Sequence, residues 1–222
     1  MCIGEYGAHD VFLGIPSPEL RKLVKETTET PSYGDLVVLL ESKFNEERLL
    51  ALFYMVKMFD QSQQSPHVQK DIVDFYVANF PHINNWNLVD SSAYHLLGAY
   101  LVSNPQELHV LQQYATHESL WVRRIAIVST LAFIRHQRFE ATLTIATLLL
   151  QDEEDLIHKA VGWMLREMGK QEDKMATSSS PSSLRTFLDT HAPHMPRVML
   201  RYSIEKMGVE ERKMYLAAKQ KV

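Results

Sequence analysis

Cysteine is almost absent. The one thiol, Cys2, excludes a disulfide framework and a cysteine-built zinc site, and it fits a reducing compartment. Its place at a chain end, where fraying concentrates, argues against a catalytic thiol. No apolar run reaches the ~18 residues that a membrane span needs, so no membrane association is expected. The opening Met1 to Tyr6 has neither a basic n-region nor an apolar h-region, so no secretory signal is visible. The expected location is cytoplasmic: nucleoid-associated in a bacterium, nuclear in a eukaryote. Basic charge is not in excess, with 23 Lys and Arg against 27 Asp and Glu, a net charge of −4. Proteins dominated by non-specific nucleic-acid binding are usually basic, so that class is disfavoured, although a local basic face is not. There is no glycine-rich phosphate loop, no Gly-x-Ser-x-Gly and no His-Glu-x-x-His. His191 and His194 stand three apart with a proline between them and no third ligand nearby, so neither a metal nor a cofactor is expected.

What is present is helical. Apolar residues make up 45% of the chain and charged residues 23%, near globular averages, which rules out wholesale disorder or a coiled coil. Glycine is scarce, at eight residues, and apolar residues recur at three and four positions rather than two. Ser17-Pro18-Glu19 reads as a helix start, followed by a Leu20, Leu23, Val24 stripe. Asn45-Glu46-Glu47 opens a second helix and Ser65-Pro66 a third. Further helices are predicted near 86–102, 105–115, 119–135, 139–150, 154–169, 183–190, 196–206 and 209–219. Short turns between them force antiparallel packing. The expected fold is all-α: a HEAT/armadillo-like helical-repeat solenoid of about six antiparallel helix pairs with a concave groove. It is read as a single domain over 1–222, interrupted by a mobile Ser-rich loop at 175–183.

Three segments set large aromatics beside charges. In Asn84-Asn85-Trp86-Asn87-Leu88-Val89-Asp90, Trp86 and Asp90 are one turn apart and share a face. A plain reading has Asn84 or Asn85 capping the helix, Trp86 packing, and Asp90 complementing the helix dipole. In Leu120-Trp121-Val122-Arg123-Arg124, Arg124 can lie along one side with Val128 and Arg135, or pair with an acid on a neighbouring repeat. Lys159, Trp163, Arg166 and Lys170 form a basic stripe interrupted by an indole, a pattern that suits a phosphate backbone next to a sugar or base. Arg197 and Arg201 add two arginines on a later helix. Because equivalent helices of a solenoid line a common face, the pattern points to a helical-repeat protein with a groove for a polyanion.

Four strings in register resemble the AlkD-like DNA alkylation repair glycosylases. They are Phe12-Leu13-Gly14-Ile15-Pro16-Ser17-Pro18-Glu19-Leu20-Arg21-Lys22-Leu23, Asn85-Trp86-Asn87-Leu88-Val89-Asp90, Leu120-Trp121-Val122-Arg123-Arg124, and His158-Lys159-Ala160-Val161-Gly162-Trp163-Met164-Leu165-Arg166-Glu167. The resemblance implies a fold, HEAT-like repeats around a DNA groove, and an activity, hydrolysis of the N-glycosidic bond of cationic N3- or N7-alkylated purines in duplex DNA. It implies Asp90 as the catalytic aspartate, Trp86 and Trp163 as sugar-flanking aromatics, and Arg124, Arg166 and, more loosely, Arg21 as phosphate contacts. Lys159 and Lys170 of the stripe join the backbone contacts, and Tyr6 is the nearest match to a groove tyrosine of the family. The partner implied is double-stranded DNA carrying alkylated bases, bound by a monomer. The chain begins near the family's first signature, so an initial helix or pair is expected to be missing.

The chemistry agrees with these residue types. Alkylation makes the purine a cationic leaving group, so one carboxylate suffices to stabilise oxocarbenium character and orient water. Indole faces favour a cationic sugar between them. Fold alone does not fix function, so two alternatives stand beside it: a non-catalytic DNA binder, and a protein-interaction scaffold with Trp86 and Trp163 as anchors.

Overall fold

A computed structural model describes residues 10–175 and 182–217. Tyr6 and most of the Ser-rich loop, 176–181, lie outside the described residues. The architecture is an all-helical repeat. Its α-helices are α1 (Ser17–Glu26), α2 (Tyr33–Leu40), α3 (Asn45–Gln61), α4 (Pro66–Ala78), α5 (Trp86–Ser92), α6 (Ala99–Ser103), α7 (Val110–Ala115), α8 (Leu120–Arg135), α9 (Glu140–Leu148), α10 (Asp155–Met175), α11 (Ser183–His191), α12 (Arg197–Ser203) and α13 (Val209–Ala217). Among the described residues no strand forms; Val11 and Phe44 make an isolated parallel bridge. No helix among them is long and apolar enough to cross a membrane. The chain divides into two compact units, with the boundary after Tyr100.

In the first unit α3 is central, packing against α1, α2, α4 and α5. Its middle buries Ala51, Leu52 and Met55 completely, and each large side chain so removed from water contributes about 1.5–3 kcal/mol. Its start is buried as well, but there the residues are polar: Asn45, Glu46 and Arg48. Glu46 accepts the Leu13 and Gly14 amides, both at 2.9 Å, fastening the N-terminal segment to the helix start. The turn this requires puts Gly14 at φ +82°, a region open to glycine. Farther along α3, Lys57 donates to the Val24 and Thr27 carbonyls at 2.9 and 2.6 Å, satisfying acceptors that the end of α1 leaves over.

Two elements differ from the sequence reading. Helix α2 was not among the expected helices; a reciprocal Ser32–Asp35 capping box opens it. The single helix expected over 86–102 is broken. A π turn, Tyr94–Gly98, separates α5 from α6, and the Gly98 amide reaches five residues back to the Ala93 carbonyl at 2.9 Å.

In the second unit α8 and α10 form the centre, α8 packing against α7, α9 and α10. From Val122 to Ile134 every α8 residue except Arg123 is buried, as expected of a helix apolar on all sides. Helix α10 is one-sided, burying Ile157, Val161, Met164, Leu165 and Met168. It runs to Met175, farther than the expected 154–169. Helix α12 lies close against it at Gly162. A Cβ there would stand 2.6 Å from the Met199 carbonyl oxygen and 2.5 Å from the Tyr202 Cβ, so only glycine permits this approach.

Candidate active site

Helix α5 presents Trp86 at its first position, 49% exposed, and Asp90 one turn later, partly buried. The indole therefore does not pack as the plain reading had it. The helix is anchored from behind by Leu88 and Val89, both fully buried. Asn85 occupies the N-cap position, and its carbonyl accepts the Leu88 and Val89 amides at 3.2 Å. Its side chain makes no cap bond, which corrects the expectation that an asparagine side chain caps this helix.

That side chain is committed elsewhere. Asn85 Nδ2 donates to Asp10 Oδ2 at 2.6 Å, and Asn45 Nδ2 donates to the same oxygen at 2.6 Å. The Arg48 guanidinium pairs with Asp10 Oδ1 and donates to the Ser42 carbonyl at 2.9 Å. Asn87 and Asn45 exchange amide hydrogen bonds of 2.6 and 3.3 Å. Burial pushes the Asp10 carboxyl up, but the hydrogen bonds from Asn85, Asn45 and Arg48, with the guanidinium charge, outweigh it and hold the group below the usual carboxylate range. The sequence reading named Asn45 only as a helix start, and Asp10 and Arg48 not at all.

Below α5, Tyr76 is fully buried, its hydroxyl 2.9 Å from Ser92 Oγ. Ser92 donates its own proton to the Leu88 carbonyl at 2.7 Å, so Tyr76 is the donor of the pair. Burial drives the phenol far above the usual tyrosine range, and the charge of Asp90 adds to the effect. Tyr76 is thus a fixed neutral donor under the helix that carries Asp90.

Arg21, in the same unit, stacks its guanidinium over the Phe53 ring at 4.1 Å. It borders an open pocket of about 440 Å³ shared with Lys25, Lys57 and Asp60.

The second unit holds the other expected residues. Arg124 is 5% exposed and donates to the Leu156 carbonyl at the start of α10. Its neighbour Arg123 binds Asp152, between α9 and α10, through two hydrogen bonds of 2.6 and 3.2 Å. Trp163 is partly exposed and borders a cavity of about 330 Å³, with Ile134 and Arg135 of α8 and Lys170 and Lys174 of α10. The basic stripe of α10 is met by acids. Lys159 pairs with Asp155 at 2.7 Å, Lys170 with Glu167 at 2.6 Å, and Arg166 with Glu205 and, at 3.3 Å, Glu167. Arg197 donates to the Leu216 carbonyl at 3.0 Å, while Arg201 is exposed. His191 stacks on Phe187 with ring centroids 4.5 Å apart.

Comparison with known proteins bears on these residues as a group. A family model described as "DNA alkylation repair enzyme" matches residues 3–207. A solved structure, the "Predicted DNA alkylation repair enzyme from Enterococcus faecalis", shares the fold with a TM-score of 0.69 at 20% identity, over 90% of each chain. No curated protein matches. The family match runs through both units and takes in α5, α8 and α10, and on that ground the chain belongs to the AlkD-like DNA alkylation repair enzyme family.

Proposed function

We propose that the protein is a DNA glycosylase that removes cationic N3- or N7-alkylated purines from duplex DNA. The observation that carries this reading is the pairing on α5 of a half-exposed indole with a carboxylate one turn away, in a chain of an alkylation repair family. The glycosidic electron pair leaves with the base and neutralises its charge, so no strong general acid is needed. Asp90 stabilises the positive charge that develops on the deoxyribose. Water adds its oxygen to C1′, with its proton passing to Asp90 or to solvent. The face of Trp86 favours the cationic sugar. In the second unit, Trp163 and the cations beside it, Arg166, Lys170 and Lys159, serve DNA binding, as does Arg21 in the first. Arg124 serves by bracing the start of α10 as well as by any phosphate it meets.

The test is release of 7-methylguanine and 3-methyladenine from methylated duplex DNA by the wild-type protein and by Asp90→Asn. Release by the wild type, lost in the variant while DNA binding persists, is the expected result. A wild type that releases neither base overturns the proposal.

One observation favours a second reading, a non-catalytic DNA-binding scaffold: the acids paired with Lys159, Arg166 and Lys170 reduce the positive charge of α10. That reading expects salt-sensitive binding, weakened by Arg166→Ala, with no base release.

A further inference from the structure

Asp10 lies more than seventy residues before Trp86, yet it holds the residue that precedes it. Its side chain is 2% exposed. A carboxylate only accepts hydrogen bonds, so Asp10 dictates that both Asn45 and Asn85 turn their amide nitrogens toward it. Burying that charge is costly unless it is paired and fully bonded. Here Arg48, Asn45 and Asn85 together meet the requirement.

The use of Asn85 is unusual. An asparagine at an N-cap normally accepts from the second or third amide of its helix, which stabilises the helix locally. Asn85 makes no such bond and spends its amide on Asp10 instead. Asn87, on the other side of Trp86 in sequence, is tied to Asn45, whose own amide also reaches Asp10. Trp86 is half exposed and so is little restrained by packing. Helix α5 has only seven residues and runs into a π turn. Leu88 and Val89 seat the helix from behind, and the fastened asparagines fix its start, where Trp86 stands.

We propose that Asp10 is a positioning residue: through Asn85 directly, and through Asn45 and Asn87, it sets the orientation of the Trp86–Asp90 pair. This rests on the reading of that pair as the reacting site. Asp10 touches no substrate. It keeps the pair in register, and misplacement by about 1 Å can cost a reacting site as much as a hundredfold in rate.

The test compares Asp10→Asn, which keeps size and removes charge, with Ile72→Val, a core change on α4 that leaves the cluster intact. Three quantities are read: single-turnover base release at saturating protein, thermal midpoint, and amide exchange of Leu88 and Val89, whose hydrogens bond the Asn85 carbonyl. Asp10→Asn is expected to slow base release by about tenfold or more and to speed exchange at those two amides selectively. Ile72→Val is expected to lower the midpoint without either effect. Should Asp10→Asn not fold, Asn85→Ala removes the one bond to the helix start and leaves the Asp10–Arg48 pair, with the same result expected. Equal rate loss per degree of midpoint in the two variants, or unchanged exchange at Leu88 and Val89, overturns the proposal. A wild type with no base release defeats the glycosylase reading instead, and local exchange then decides the role of Asp10 alone.

Discussion

Arg166 on α10 is ion-paired to Glu205, just beyond the end of α12. Lys206 and Arg166 hold the Glu205 carboxyl below its usual range, so it stays charged at neutral pH and competes with any phosphate for the guanidinium. Glu205→Gln removes that competitor. DNA binding is expected to tighten and the slope of log affinity against log salt to steepen by about 0.9, the value of one added phosphate contact. Titrations of a labelled duplex at several salt concentrations measure this. Superimposable curves for variant and wild type would exclude Arg166 as a phosphate contact.

Gly162→Ala sets two effects against each other. Alanine favours a helix over glycine by about 1 kcal/mol. The added methyl, however, meets the Met199 carbonyl oxygen at 2.6 Å and the Tyr202 Cβ at 2.5 Å, and a backbone oxygen cannot turn aside as a flexible side chain can. Overpacking of this kind costs about 1–3 kcal/mol, so net destabilisation is expected. Urea unfolding decides it, and a variant as stable as the wild type would mean that α12 yields at this contact.

Acid should weaken the first unit through Asp10. Its folded-state carboxyl lies below the ordinary value, so its contribution to stability is complete above the unfolded pKa of about 3.9. It is lost as pH falls through the folded value. Urea midpoints measured from pH 5 downward are expected to fall more steeply for the wild type than for Asp10→Asn, which has no carboxyl to protonate. Parallel profiles would show that the cluster carries no such linkage.

What the sequence disclosed followed distance along the chain. The Asp155–Lys159 and Glu167–Lys170 pairs stand at helical spacing, yet the reading of α10 as a basic stripe took no account of them, and Arg166–Glu205 joins residues far apart. Ser32 and Asp35 form a recognisable start signal for α2 that the periodicity search passed over. The break after α5 was hidden because Leu88, Val89, Ala93, Leu96, Leu97 and Tyr100 keep a three-and-four rhythm on both sides of it. Asp10 carried no local signal at all. Its partners are asparagines and an arginine at helix starts, where such residues ordinarily read as caps or surface charge. Trp86 and Asp90 were legible because both lie within one turn of one helix.

The wide turn at Tyr94–Gly98 acts as a phase adjuster. It accommodates one more residue than a regular turn would. Were the same residues wound as ordinary α-helix, everything beyond the turn would be rotated by about 100°. Tyr100, now 6% exposed, would swing off its buried side, or Trp86 and Asp90 would have to turn by the same angle to keep it there. By absorbing the surplus residue, the turn lets the half-exposed indole and the inward-facing tyrosine coexist on one short stretch of chain.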